Sequence, residues 1–193
     1  MSTILSLGII TFIISSIYFI IKPKSGFNSA FLVSFITLIS YIVMLQGNFV
    51  TNDLYWTRWL VYGISCPLLC FEISKRLGLD LTKTIFNVFL TFVVMVTGAL
   101  SSFSVGNFKL AFFALSTIAF AKLISDFYNT KSKELSTISP YIIFGWCVFP
   151  IVFTFSNEGV VQLLSAQNAA IVYLGLDIFT KIIFYIQHSK SIK

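Results

Sequence analysis

An all-α integral membrane protein, a bundle of seven spanning helices, is what this sequence predicts, and three observations carry the prediction. Of 193 residues, 57% are hydrophobic and only 10% are charged, where a soluble domain carries about 25% charged residues. The mean hydropathy is +0.92. The apolar residues fall into seven stretches, each long enough at about 1.5 Å per residue to cross a hydrocarbon layer of ~30 Å. Basic residues gather at alternate ends of these stretches, so the net charge of +6 reads as membrane topology. No basic tract is present to follow a phosphate backbone, which argues against a nucleic-acid partner. Cys66, Cys70 and Cys147 lie inside apolar runs with no disulfide or metal-ligand spacing, and the single histidine, His188, is near the tail. They read as embedded thiols, and nothing indicates an enzyme.

The first span, Ile4 to Ile21, is uncharged, and no cation precedes it as a signal peptide requires, so it is a permanent helix. Lys22, Pro23 and Lys24 follow it. The second span lies within Phe27 to Gln46, ahead of a polar turn at Gly47-Asn48-Phe49. The third runs from about Asp53 to Ile73, holds Arg58 and Glu72, and is closed by Lys75 and Arg76. Gly78-Leu79-Asp80 forms a short loop before the fourth, Thr84 to Ser102. The fifth is Leu110 to Phe127, the sixth Ile138 to Phe155 and the seventh Val160 to Gln187. Short loops make sequential helices antiparallel neighbours, so one domain is expected over residues 1–193.

With the N-terminus outside the cell membrane, the cytoplasmic ends receive Lys22, Lys24, Lys75, Arg76, Lys83, Lys122, Lys131, Lys133, Lys190 and Lys193, ten of thirteen basic residues. The outer loops receive only Lys109. Short loops are the regime in which the positive-inside rule sets orientation. Arg58 and Lys181 remain inside the membrane, where an embedded charge costs roughly 2.5–3.5 kcal/mol on insertion scales. Four residues apart, Asp177 and Lys181 share one face of the seventh helix. Two readings stand here: a structural ion pair joining helices, or a lysine held as a protonated Schiff base with the aspartate as counterion. Arg58 and Glu72 are about 21 Å apart along the third helix, Arg58 in its outer part and Glu72 in its inner part. With Asp177 and Lys181 between, the titratable groups line the membrane normal as a proton relay requires.

The third helix reads Tyr55-Trp56-Thr57-Arg58-Trp59, then Pro67 and Glu72; the sixth carries Trp146, Phe149, Pro150 and Phe153, with Glu158-Gly159 beyond; the seventh carries Asp177 and Lys181. In this order they resemble the microbial rhodopsins. That resemblance implies all-trans retinal bound covalently to Lys181, Asp177 as Schiff-base counterion, Arg58 as the counterion's partner, and a pocket drawn from Tyr62, Phe113, Ser116, Trp146, Phe149, Pro150 and Phe153. Within the superfamily, Val61, Ser65, Cys66 and Glu72 look most like the schizorhodopsins, whose third-helix pattern is Phe-Ser-Glu; Val61 departs from it without becoming titratable. The resemblance implies a light-driven inward proton pump, with Glu72 assisting cytoplasmic release, in a homo-oligomer that is typically a trimer.

Each residue has a plainer role beside that one. Arg58 either keeps Asp177 ionised or snorkels to the headgroups. Glu72, with no cation expected on its own helix face, is neutral or water-connected, unless Lys75 pairs with it. Ser65 returns a hydrogen bond to the Val61 carbonyl, Cys66 packs against the chromophore, and the aromatics are core. Glu158 is a solvated outer-loop acid or lies on the proton uptake path. Two other functions compete: a light-gated anion channel, disfavoured because Gly26 to Gln46 contains no acid, and a photosensor, for which no cytoplasmic domain is seen.

Overall fold

The computed structural model describes residues 1–22, 28–50 and 55–188. Pro23, Lys24, Gly26, Phe27, Asp53, Lys190 and Lys193 lie outside the described residues, as do the side chains of Asn48, Phe49, Tyr55, Trp56 and Thr57.

Apolar runs of this length can satisfy their backbone groups in lipid only as helices, and seven form among the described residues: α1 Ser2–Ile21, α2 Ser29–Val50, α3 Tyr55–Arg76, α4 Leu81–Phe103, α5 Gly106–Tyr128, α6 Leu135–Phe155 and α7 Ala166–His188. Six are long and apolar enough to cross a membrane by composition alone. The exception is α3, diluted by Arg58, Glu72, Lys75 and Arg76. It is nonetheless the packing centre of the first half, lying between α2 and α4, and this shelters its charges from lipid. Consecutive helices from α1 to α5 are neighbours, and α7 closes the bundle against α1 and α2.

The bundle is apolar outside and carries small polar residues within. Ile10, Ile14, Ile17 and Ile21 of α1 are exposed, while Ser34, Thr37 and Ser40 of α2 are fully buried. Small residues let helices approach, and their hydroxyls can return to the backbone one turn earlier. Thr37, Thr91 and Thr97 do so, bonding the carbonyls of Val33, Asn87 and Val93 at 2.7, 2.8 and 2.7 Å.

Two expectations about the backbone are corrected. α2 continues through Gly47-Asn48-Phe49 to Val50, because one helical glycine costs only about 1 kcal/mol against alanine. α7 starts at Ala166, not Val160; Ser165 caps it by accepting from the Asn168 amide at 3.2 Å. Residues 156–165 fold back on the end of α6, with Val161 and Leu163 donating to the carbonyls of Thr154 and Phe155, both at 2.8 Å. Elsewhere the helices outrun their apolar runs by up to about a turn, as α4 does from its Asp80 cap, because interfacial polar residues can stay helical.

The last two helices are irregular. α6 and α7 each contain a π turn, Ile142–Trp146 and Ile178–Ile183; in α6 the Cys147 amide bonds Ile142, five residues back, at 2.9 Å. The α6 turn follows Pro140, whose missing N–H weakens the regular ladder. The two turns meet where Gly145 lies against the Thr180 methyl, with no room for a Cβ. Lys181 is therefore presented from a widened turn.

Candidate functional site

Asp177 and Lys181 do stack on one face of α7. The Lys181 ammonium is 2.8 Å from Asp177 Oδ1, and the two side chains are 1% and 0% exposed. Asp177 Oδ2 accepts from the Tyr62 hydroxyl of α3 at 2.6 Å and from the Tyr41 hydroxyl of α2 at 3.0 Å. One carboxylate thus ties three helices together, and its charge is met by a cation and two phenolic donors. The Tyr62 ring centre lies 4.0 Å from the ammonium, adding a cation–π contact. Val61, buried at 6% exposure, offers no second acid.

Lys181 lines a cavity in which the centre of a water-sized sphere has about 130 Å³ to move. Tyr62, Cys66, Phe113, Ser116, Trp146, Phe149, Pro150 and Phe153 all line it, as does Arg58. A buried amine with its own carboxylate, at an apolar aromatic cavity, fits the attachment of an apolar aldehyde such as retinal. Trp59, Thr91, Met95, Phe120, Tyr173 and Thr180 line it too; Trp59 was read only as part of the Arg58 motif, and none of the six was given a pocket role from the sequence. Trp59 stacks edge-on against Phe153 at 5.5 Å and Phe149 lies parallel to Tyr173 at 5.9 Å, fixing the walls. Ser65 and Cys66 part company: Cys66 lines the cavity, whereas the Ser65 hydroxyl is fully buried and makes no hydrogen bond to the Val61 carbonyl.

Toward the end of the bundle that holds the α6–α7 loop, Arg58 pairs with Glu158 and lies 4.0 Å over the Tyr173 ring. Both are buried, at 8% and 5% exposure. Arg58 does not snorkel, and Glu158 is not a solvated acid. The folded-back loop tucks Glu158 inward: Gly159 sits so tightly on the Phe153 carbonyl that no Cβ fits. Trp59 Nε1 and Ser102 Oγ donate to Glu158 at 3.2 and 2.9 Å, and Lys109 donates to the Glu158 and Gly159 carbonyls at 2.8 and 3.1 Å. The Arg58 charge expected to act on Asp177 is thus balanced by a second acid.

At the opposite end, Glu72 does have a cation on its own helix. Arg76, one turn on, reaches Glu72 Oε1 at 2.5 Å, and Ser29 of α2 donates to Oε2 at 3.1 Å. Arg76 also donates to the His188 carbonyl of α7 at 2.9 Å. The expected alternative, Lys75, instead extends over the Phe71 ring at 5.6 Å. The i,i+4 spacing was legible, but Arg76 read as a flanking charge because the apolar run stops before it.

Against known proteins, the family model described as bacteriorhodopsin-like protein matches residues 1–189. The chain is 22% identical to a bacteriorhodopsin-II-like protein of Haloquadratum walsbyi over 95% of this chain and 87% of that one. It is 22% identical to halorhodopsin of Halobacterium salinarum over 84% and 69%. Among solved structures it superposes on schizorhodopsin 4 with a TM-score of 0.89 and 34% identity, covering 100% of this chain and 99% of that one. A halorhodopsin described as a light-driven chloride pump gives a TM-score of 0.83 at 19% identity, over 96% and 91%.

Proposed function

Since the chain belongs to the bacteriorhodopsin-like family, whose members are light-driven ion transporters, we propose that it is a light-driven inward proton pump with all-trans retinal on Lys181. When bound, retinal would supply a light-isomerised polyene joined to the Lys181 nitrogen as a protonated imine. Tyr62, Phe113, Ser116, Trp146, Phe149, Pro150 and Phe153 would hold it.

The observation that carries the direction is the unequal placing of acids about Lys181. On the side toward the α6–α7 loop, Asp177 is already ion-paired and accepts two phenolic hydrogens, so both of its oxygens are engaged. Val61 supplies no alternative. Toward the other face the acid is Glu72, its side chain 16% exposed and so within reach of water. Glu72 is about 16 Å along α3 from the level of Val61, too far for direct transfer, so water carries the proton while Glu72 and Arg76 organise its exit. The basic residues put this face in the cytoplasm. Departure there is inward, and replacement comes from outside past the Arg58–Glu158 cap. The 34% identity to schizorhodopsin 4 supports this choice within the family.

Photocurrent under voltage clamp tests the reading. An inside-negative potential alone favours inward proton flow by about 2.3 kcal/mol per 100 mV, so sign at rest is not decisive. A pump keeps the inward current when the potential is inside-positive and chloride is absent. A current that reverses with the ion gradient makes this a channel, and one that needs chloride makes it an anion transporter.

A further inference from the structure

Beside the central cavity, a second opens between the α3–α4 turn, α4 and the end of α5, at the face where α3 ends. The centre of a water-sized sphere has about 560 Å³ to move in it, ample for several waters, each needing about 10–15 Å³ on this measure. Asp80, Lys83, Lys122 and Asp126 surround it, the lysines paired with the aspartates. No residue of α2, α6 or α7 lines it, so it lies on the other flank of α3 from the contacts of Glu72 with Ser29 and the end of α7.

Asn87 of α4 forms the inner wall of this cavity. It is fully buried, and neither Nδ2 nor Oδ1 has a hydrogen-bond partner among the described residues. A primary amide offers two donors and an acceptor oxygen, and burying all of them unmet is costly. In the resting structure these atoms are closed to a water-sized sphere, so water from the adjoining cavity reaches them only when the side chain swings toward it. One turn along α4, about 6 Å, Thr91 lines the central cavity, and its hydroxyl donates to the Asn87 carbonyl at 2.8 Å. The two cavities are therefore separated along α4 by a single polar turn.

We propose that Asn87 is a positioning residue for proton release: it holds the water through which a proton leaving the Lys181 position enters the α3–α5 cavity and the aqueous phase. This exit is separate from Glu72. It rests on the inward-pump reading for its role, while the hydration it requires stands independently.

The full chain, reconstituted with retinal, tests both parts. In a sample labelled with ¹⁵N-asparagine, the Asn87 side-chain amide, identified by its loss in Asn87→Leu, should exchange with D₂O in the dark within minutes. Protection for days removes the hydrated passage whatever the pump does. Flash photolysis with a pH indicator then measures release. Asn87→Leu should slow it by roughly tenfold, the scale of one lost buried hydrogen-bonding link, with an unchanged dark spectrum showing that the fold and pocket are intact. Asn87→Ser, which leaves room for a water and a hydroxyl to hold it, should restore most of the rate. Wild-type release in Asn87→Leu, or equal slowing in Asn87→Ser, overturns the proposal. A wild-type current of the wrong sign sinks the pump reading and leaves the exchange result to decide the hydration.

Discussion

At the end of the bundle where α6 turns into α7, an acid is carried on a folded-back loop into the interior, where Arg58, Trp59, Ser102 and Lys109 secure it. At the opposite end Glu72 takes its arginine from the next turn of its own helix and lies beside a face with a wide polar cavity. The first arrangement joins separate segments in a dry setting. Opening it requires moving a loop away from three helices. The second joins neighbours already held by the helix, so loosening it costs little and admits water. A bundle braced across helices at one end and only within one helix at the other opens more easily at the second, as the proposed direction of release requires.

The comparison presupposes one buried cation between the two ends, and removing it has the largest expected effect. Lys181→Ala should form no visible pigment with retinal. A coloured product with an absorption like that of the wild type would move the attachment elsewhere and dissolve the two-sided picture. Next is Asp177→Asn, which takes the compensating charge from beside the nitrogen. With Val61 unable to substitute, the imine should lose its proton at neutral pH and absorb in the near ultraviolet. An unchanged visible spectrum up to alkaline pH would mean that another acid, Glu158 being the nearest candidate in chemistry, serves the same charge.

The closed end should answer to Glu158→Ala. Stripping one partner from a buried ion pair costs roughly 3–5 kcal/mol, read as a lower midpoint in a detergent or thermal unfolding series followed by loss of colour. Loss of under about 1 kcal/mol, the scale of an exposed pair, would show the cap to be wet and the contrast false. Glu72→Gln sharpens the other side. It keeps the side-chain volume and the Ser29 contact, so stability should change little, while the light-driven pH change in cells should be abolished or greatly slowed.

How much of this was legible beforehand depended on whether a feature repeats or is singular. Seven spans and the Asp177–Lys181 face follow from apolar run length, charge cost and helical spacing, and the cavity aromatics from the resemblance to the microbial rhodopsins; in the structure seven helices form among the described residues, the pair shares a face and the aromatics line one cavity. The burial of Glu158 was not legible, because it arises from the loop's hydrogen bonds to Thr154 and Phe155 and from the close seating of Gly159, neither of which leaves a periodic trace. The π turns escaped for a related reason: a pattern read at 3.6 residues per turn cannot show where one extra residue is inserted. Tyr41 was hidden differently. It is one of eight tyrosines, and only the packing of α2 on α7 brings its hydroxyl to Asp177.

The smallest expected effect concerns Arg76, and it separates stability from function most cleanly. Its pair with Glu72 is i,i+4 on one helix, with side chains 6% and 16% exposed, so the pairing itself contributes about 0.3–1 kcal/mol. The bond to the His188 carbonyl adds a link to the last turn of α7. Arg76→Gln keeps a donor and most of the length, and should lower stability by about 1 kcal/mol or less. Glu72, however, would keep only the Ser29 contact among its described side-chain partners, so its carboxylate should no longer be held in place. The rate of release into the medium should then fall severalfold in Arg76→Gln. An unchanged rate would mean that Arg76 only fastens α3 to α7. A large loss of stability would mean that this end is as firmly braced as the other, and the contrast between them would fail.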